Sequence, residues 1–168
     1  MRNGSCPWYA LSRPRPENEW AFEQRGKIVY PDIAPWPEFA FDDMGFFGGN
    51  TTYVIPTNDM FLLGALNSKV TAFFHRQQSS TIQQGFLRFI ALYLRKFPIP
   101  ATPPAERRTI ERLVRRLLAL RGEGPEAAAL EQELNERVYR LFELTNEEIA
   151  LIEESLGRHT ARSREREQ

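Results

Sequence analysis

The sequence predicts an α+β fold: a small, twisted, mainly antiparallel sheet packed on a central helix and followed by a helical C-terminal appendage. Two observations support this prediction. Between residues 27 and 90, short runs of β-branched and aromatic residues alternate with glycine, proline and asparagine, which is typical of short strands joined by turns. After residue 101 the apolar residues instead recur every three or four positions, which is typical of amphipathic helices.

Composition limits the class of protein. The 168 residues suffice for one domain, or one domain with an appendage, and 42% of them are hydrophobic, which is enough for a core. The 22 basic and 22 acidic side chains cancel, so only local patches can attract phosphate. The single cysteine, Cys6, excludes an internal disulfide, and no apolar run reaches the roughly 20 residues of a membrane span. We therefore expect a reduced, cytoplasmic protein without a membrane partner.

The first half of the chain is predicted to build the sheet. Residues 1–26 are rich in proline and arginine and are expected to form an extended lead-in. Strands are predicted at residues 27–30 and 51–55, and a third extended segment at residues 39–47. Between the last two, the Gly-Gly-Asn sequence at 48–50 predicts a tight turn with positive φ angles.

The central helix is predicted at residues 62–74, where an apolar stripe recurs at three- to four-residue spacing, with Asn58 as its cap. Gly64 and Ser68 lie four residues apart and would let a neighbouring backbone approach closely. Asn67 and Ser68 are unfavourable inside a helix because their side chains compete for backbone hydrogen bonds. They are expected to hydrogen-bond to an adjacent loop or to have another specific role.

A polar loop at residues 75–85 and a strand at 86–90 are predicted to complete the sheet-bearing part, residues 27–100. Three helices then form an appendage at residues 101–157. The first begins at two prolines, the third opens with a capping box at residues 145–148, and Gly157 is expected to end it. The tail, residues 158–168, has almost no apolar side chains and is predicted to be disordered.

No arrangement of catalytic residues is recognisable in the chain. Asp32 and Glu38 resemble the acids of a metal-dependent nuclease core, but Ala40 occupies the position of the lysine that such a core needs. The Asp42-Asp43 pair is typical of a turn more often than of a cation site. The glycines at 45–49 are not followed by the Gly-Lys-Ser/Thr of a phosphate loop. We therefore expect no catalytic, cofactor-binding or metal-binding residue.

The stretch from residue 60 to 100 contains five arginines and lysines but neither aspartate nor glutamate, which indicates a surface presented to an anion. Arginine and lysine hold phosphates, and glutamine can pair with adenine, so the polar loop suits contact with DNA. A largely buried segment would also contain few charges, and a polar loop can simply be solvated. Both interpretations stay open at this point.

The side chains predicted to bind DNA fall into two groups. Lys69, Arg95 and Lys96 flank ordered elements and suit phosphate contacts, whereas Arg76 and Arg88 flank the glutamine-rich loop and suit base reading. The full predicted set is Lys69, His75, Arg76, Gln77, Gln78, Ser79, Ser80, Gln83, Gln84, Arg88, Arg95 and Lys96.

The order of these segments resembles the TaqI-like specificity domain, the C-terminal target-recognition part of adenine-specific DNA methyltransferases and of fused type IIG restriction-modification enzymes. The run Leu62-Leu63-Gly64-Ala65-Leu66-Asn67-Ser68-Lys69 and the closing Pro98-Ile99-Pro100 are also similar to type I specificity subunits. The resemblance extends from residue 8 to residue 156. Its other segments are Lys27-Ile28-Val29-Tyr30-Pro31-Asp32-Ile33, Phe39, Tyr53-Val54-Ile55-Pro56, Tyr93-Leu94, Phe97 and the Leu-Thr-x-x-Glu-Ile run at residues 144–149.

The resemblance implies that the chain chooses a site on double-stranded DNA for a methyltransferase that modifies adenine with S-adenosylmethionine. The Asn-Pro-Pro-Tyr/Phe motif and the glycine-bearing cofactor motif of such enzymes are not in the sequence. We therefore expect this chain to be one of two things. It is either the C-terminal piece of a longer protein that contains the methyltransferase domain in cis, or a separately encoded specificity subunit that works with a methyltransferase in trans. A nuclease fused to the parent is compatible with the resemblance.

Two other classes of function remain as alternatives. In the first, the three C-terminal helices form a protein-interaction module and the sheet is only a scaffold. In the second, the fragment alone cleaves DNA with a metal ion.

Overall fold

The fold is α+β, as the sequence predicts. A computed structural model describes residues 19–79 and 85–166, with side chains to residue 157. Its strands are β1 (Lys27–Pro31), β2 (Ile33–Ala34), β3 (Ala40–Asp42), β4 (Thr52–Ile55) and β5 (Leu87–Arg88). Its helices are α1 (Glu19–Glu23), α2 (Met60–Leu66), α3 (Lys69–Gln78), α4 (Ala91–Leu94), α5 (Pro104–Ala119), α6 (Gly124–Leu141) and α7 (Asn146–Arg166).

The strands form two small antiparallel sheets. In the first, the order is β3-β1-β4, with Val29 opposite both Ala40 and Val54. In the second, β2 pairs with β5, and Ala34 lies opposite Leu87. The predicted strands near residues 27–30 and 51–55 are confirmed, whereas the predicted strand at 86–90 is reduced to two residues. A two-residue bridge leaves too short a pattern to define strand ends in the sequence.

The segment after β3 is not the extended strand that the sequence predicted. The side chain of Asp42 accepts hydrogen bonds from the backbone N–H groups of Met44, Gly45 and Phe46, at 2.9, 2.9 and 2.8 Å. These donors are therefore unavailable to a strand ladder, and the chain turns there instead. The glycine with positive φ is Gly45, at 82°, rather than the glycines at 48 and 49.

The central helix is divided in two at Asn67 and Ser68. The Asn67 side chain ends α2 and pairs with the backbone of Phe39: Oδ1 accepts from its N–H at 3.0 Å and Nδ2 donates to its carbonyl at 2.9 Å. Ser68 begins α3, because its hydroxyl accepts from the Thr71 N–H at 3.3 Å. The expected hydrogen bond to an adjacent loop is confirmed for Asn67, but the continuous helix is wrong.

Both ends of this helix pair differ from the prediction. Asp59, not Asn58, caps α2, because its carboxylate accepts from the Leu62 N–H at 3.1 Å. Helix α3 continues to Gln78, so residues 75–78 are helical rather than part of the polar loop. The buried ring of His75 anchors this extra turn against aromatic side chains from α4 and the β5 region.

The three C-terminal helices form where the periodicity predicts them. The capping box of α7 is confirmed: Glu148 accepts from the Thr145 N–H at 2.8 Å, and Thr145 accepts from the Glu148 N–H at 3.3 Å. The predicted end at Gly157 is wrong, because α7 continues to Arg166. Gly157 lacks a positive φ angle, and a glycine can continue a helix at about 1 kcal/mol relative to alanine. Among the helices of residues 19–79 and 85–166, none is both long and apolar enough to cross a membrane.

These helices share one hydrophobic core with the sheet. Ile28 and Phe39 from the sheet belong to the same buried cluster as Val114 from α5 and Ile152 from α7. Helices α2 and α5 approach closely at Gly64, where an added Cβ would lie 2.7 Å from Val114 Cγ2. The core therefore continues across the boundary that the sequence placed at residue 100.

Candidate nucleic-acid interface

Two of the five cations in the acid-free stretch form ion pairs within the fold. The Nζ of Lys69 lies 2.6 Å from Oε2 of Glu153, and Oε1 of the same carboxylate accepts from the hydroxyl of Tyr139 at 2.7 Å. The guanidinium of Arg88 lies 2.9 Å from the carboxylate of Asp32. Both cationic side chains remain partly exposed, at 44% and 40%. The charge of each side chain is therefore compensated by a neighbouring carboxylate, but the side chain remains accessible to solvent.

Arg76 contacts the connection between β2 and β3. Its guanidinium lies 4.3 Å from the centre of the Trp36 ring and donates to the carbonyl of Pro35 at 2.8 Å. Stacking of this kind contributes about 0.5–2 kcal/mol, depending on burial. Burial also lowers the pKa of the Arg76 guanidinium. This side chain thus has a supporting role in the fold that the sequence did not reveal.

His75 lies inside the core. Its ring is fully buried, with centroid distances of 4.2 Å to Phe89 and 5.2 Å to Phe97. Burial, reinforced by the neighbouring charge of Arg76, lowers the pKa of His75 to about 4. The imidazole is therefore neutral near pH 7, and it supports α3 from within rather than offering a positive charge to a phosphate.

The buried imidazole predicts a pH dependence of stability. The folded state keeps the pKa of His75 near 4, whereas the unfolded state has the ordinary value of 6.5. Between these values only the unfolded chain binds the proton, so stability falls as the pH decreases, by up to about 1.4 kcal/mol per pH unit. Urea unfolding between pH 7 and 5 should show this slope in the wild type and lose it in His75→Phe.

The comparison is between the wild type and His75→Phe, so that the sequence differs at this one position. The carboxyls of Asp42 and Glu153 have lowered pKa values and titrate below this window, so they do not contribute to it. An equal slope in His75→Phe and the wild type would contradict the prediction.

The remaining predicted contacts differ in exposure. Gln77 is exposed, and Gln78 and Ser79 are half-buried. The Ser79 hydroxyl accepts from the Arg88 N–H at 3.0 Å, which joins the end of α3 to β5. Three of the predicted residues lie outside the described part of the chain: Ser80, Gln83 and Gln84.

Arg95 and Lys96 are exposed just after α4, and within residues 19–79 and 85–157 neither has an acidic partner. Ring contacts connect this region to α3, with centroids 6.1 Å apart for His75 and Tyr93 and 6.0 Å apart for Phe74 and Phe97. The exposed end of α3 and this cationic pair therefore belong to neighbouring elements held by one aromatic cluster.

Sequence reasoning missed an exposed apolar tip between β3 and β4. The side chains of Met44, Phe46 and Phe47 are 68%, 69% and 69% exposed. Their loop is held by Asp42, whose carboxylate lies 3.1 Å from the fully buried Nζ of Lys27. Burial would raise the pKa of Asp42, but hydrogen bonds from Lys27 and the loop N–H groups outweigh it and lower the pKa. The phenylalanine-rich and glycine-rich composition was the available signal, but it equally fits a strand.

Comparisons with known proteins agree on one kind of relative. A family model described as "TaqI-like C-terminal specificity domain" matches residues 8–99. The Type II methyltransferase M.BanIII of Aneurinibacillus aneurinilyticus is 31% identical over 101 residues, covering 55% of this chain and 17% of the relative. The Type II methyltransferase M.PaeR7I of Pseudomonas aeruginosa is 28% identical over 149 residues, covering 84% of this chain and 23% of the relative. The chain thus spans less than a quarter of the length of these curated relatives.

Proposed function

Because the chain belongs to the family of TaqI-like C-terminal specificity domains, we propose that it selects the DNA site on which a methyltransferase domain acts. The observation that supports this proposal most is the extent of the family match. Residues 8–99 include every residue predicted to contact DNA, from Lys69 to Lys96. Both relatives are methyltransferases by name, and the chain aligns with only a small part of each.

The finer points of the proposal follow from the resemblance. The parent enzyme transfers a methyl group from S-adenosylmethionine to the exocyclic amine of adenine in double-stranded DNA. Its methyltransferase domain acts in cis or in trans and extracts the target base from the helix, while the present chain holds the duplex. A type IIG parent would also cleave DNA. The cytoplasm is the location that we propose for this system.

The structure suggests a division of roles among the predicted contacts. Arg95 and Lys96 are exposed and have no acidic partner in the described part of the chain, so we assign them to phosphates. Gln77 is exposed at the end of α3, and its amide can pair with an adenine edge. Lys69 and Arg88 can exchange their carboxylate partners for phosphate at small cost, since a partly exposed ion pair contributes about 0–1 kcal/mol.

Burial of the apolar helix faces argues against the alternative in which the three C-terminal helices form a protein-interaction module. Ile110, Val138 and Ile152 are almost fully buried in the shared core, with exposures of 0, 1 and 5%. The apolar faces of α5, α6 and α7 are therefore already covered by the rest of the chain, and they offer little apolar surface for a separate partner.

The proposal is tested by two variants in the full-length parent, scored by methylation across a randomised library of sites. Gln77→Ala should weaken discrimination at one base pair by about 1–3 kcal/mol, because it removes a base contact. Arg95→Gln combined with Lys96→Gln should leave the preferred site unchanged. In a duplex-binding assay, this variant should weaken binding to all sequences. It should also reduce the slope of log K against log salt by about 1.8, or about 0.9 for each lost phosphate contact.

Gln132→Ala provides the matched control for Gln77, because Gln132 is an exposed glutamine on α6 and hydrogen-bonds to Glu136. It should keep the parental site and rate. If Gln77→Ala methylates the parental site with parental selectivity and the cationic double variant keeps the parental salt slope, this surface does not contact DNA.

A further inference from the structure

Helix α5 carries an arginine ridge formed by Arg108, Arg112 and Arg115, all of which are exposed. The spacing i, i+4, i+7 places these side chains on one helix face. At about 1.5 Å of rise per residue, the ridge is roughly 10 Å long. A shallow groove of about 460 Å³ runs along it, and Ala105 and Thr109 complete much of its lining.

The charge of the ridge is not compensated by carboxylates in the described part of the chain. Of the three side chains, Arg112 donates to the neutral hydroxyl of Thr109 at 3.3 Å. Glu111, the acid that borders the groove, already accepts from Arg107 at 3.2 Å. The ridge therefore presents three positive charges to solvent with their guanidinium groups available.

The other acid near the start of α5 is also engaged elsewhere. Glu106 accepts a bidentate pair of hydrogen bonds from Arg137 of α6, at 2.8 and 3.1 Å. Arg116, one turn after Arg112, lies beside the ridge, but its charge is compensated by Glu126 at 2.5 Å. The acidic side chains around α5 are thus paired with arginines outside the ridge, and the ridge stays electropositive.

We propose that the arginine ridge binds the sugar–phosphate backbone of the duplex that the chain selects. This inference rests on the proposed function and extends it to a helix beyond the family match, which ends at residue 99. A DNA strand carries a phosphate about every 3.4 Å along its axis, so a ridge of this length faces roughly three of them. The planar guanidinium fork suits phosphate oxygens better than an ammonium group does.

The packing of α5 favours DNA over the other anionic partners. Val114, beside the ridge in sequence, is buried against Gly64 of α2, so the ridge is fixed relative to the sheet-bearing part. A rigid row of charges matches a rigid, evenly spaced polyanion. A membrane-surface helix would instead need its apolar face free for lipid, and the apolar face of α5 lies in the core.

The experiment measures duplex binding by the whole chain across about 50 to 200 mM salt, where counterion release dominates. The variant Arg108→Gln/Arg112→Gln/Arg115→Gln should reduce the slope of log K against log salt by about 2.7, or about 0.9 for each lost phosphate contact. The loss should be equal for all sequences. A control variant, Arg25→Gln/Arg121→Gln/Arg140→Gln, removes the same charge from exposed positions outside α5 and should change the slope by less than half as much.

Each remaining outcome overturns the inference in a recognisable way. If the ridge and control variants change the slope equally, only net charge matters and the ridge is not a contact. If the ridge variant keeps the wild-type slope for DNA but loses binding to polyglutamate, the ridge serves an acidic protein partner. If the wild type binds no duplex even at the lowest salt, the proposed function fails, and this inference fails with it.

Discussion

Replacing Asp42 with alanine is expected to lower the free energy of unfolding by about 3–5 kcal/mol, because it leaves Lys27 charged and unpaired in the interior. Lys27 is 0% exposed, and apart from Asp42 its Nζ donates only to the carbonyls of Phe22 and Gln24 among the described residues, at 2.5 and 3.2 Å. The same substitution removes the acceptor for the three loop N–H groups beneath the apolar tip. Thermal and urea unfolding monitored by circular dichroism will measure the loss.

Asp43→Ala is the matched control, since Asp43 is the exposed neighbour of the same type, and it should change stability by less than about 0.5 kcal/mol. The pH profile gives a second check. The folded-state pKa of Asp42 lies below its ordinary value of 3.8, so its contribution is present at neutral pH and disappears as the pH falls through the lowered pKa. Equal stabilities of Asp42→Ala and Asp43→Ala would show that the buried ion pair is not stabilising.

Replacing Val114 with aspartate should destabilise the whole chain by more than about 3 kcal/mol, because it places a carboxylate at a buried position of the apolar core. Val114 is 4% exposed and lies against Gly64 on the other side of the predicted domain boundary. Since the core is shared, the sheet and the helices should unfold in one transition at lower denaturant. Tryptophan fluorescence and far-ultraviolet circular dichroism will report the two parts.

Leu118→Asp is the matched control on the same helix, because Leu118 is 40% exposed and an aspartate there remains hydrated. Its effect should stay within about 1 kcal/mol. If Val114→Asp unfolds the helices while the fluorescence transition stays unchanged, residues 101–157 would be an independent appendage, as the sequence suggested.

The sequence predicted those elements whose pattern is long or chemically distinctive. Helices α5, α6 and α7 follow from apolar periodicity, and the Thr145–Glu148 capping box follows from its spacing. The edges of the sheet were harder to predict, because the turn after β3 depends on one carboxylate that binds three backbone donors. A composition-based pattern cannot distinguish that arrangement from a strand.

For a similar reason, the sequence did not show which of the predicted contact residues are exposed and which are used inside the fold. Composition identifies a cation-rich stretch, but it does not show which cations are used internally. Lys69 meets an acid 84 residues later, and Arg88 meets one 56 residues earlier, so these pairs depend on the tertiary fold. His75 is a polar residue of a type expected at the surface, but its side chain is fully buried. Only Gln77, Arg95 and Lys96 are both predicted contacts and clearly exposed in the described chain.

The Asn67 side chain imitates a peptide group, since its amide both donates to and accepts from the backbone of Phe39 as a neighbouring strand would. Aspartate, which lacks the donor, and leucine, which lacks both groups, cannot replace it. Asn67, part of the Leu-Asn-Ser-Lys run that carries the family resemblance, therefore has a structural role: it holds the end of α2 against the segment before β3. Under the proposed function, exchanging Gln77 would alter target preference while this side-chain-to-backbone pairing stays intact, so that specificity and structural integrity could be adjusted separately.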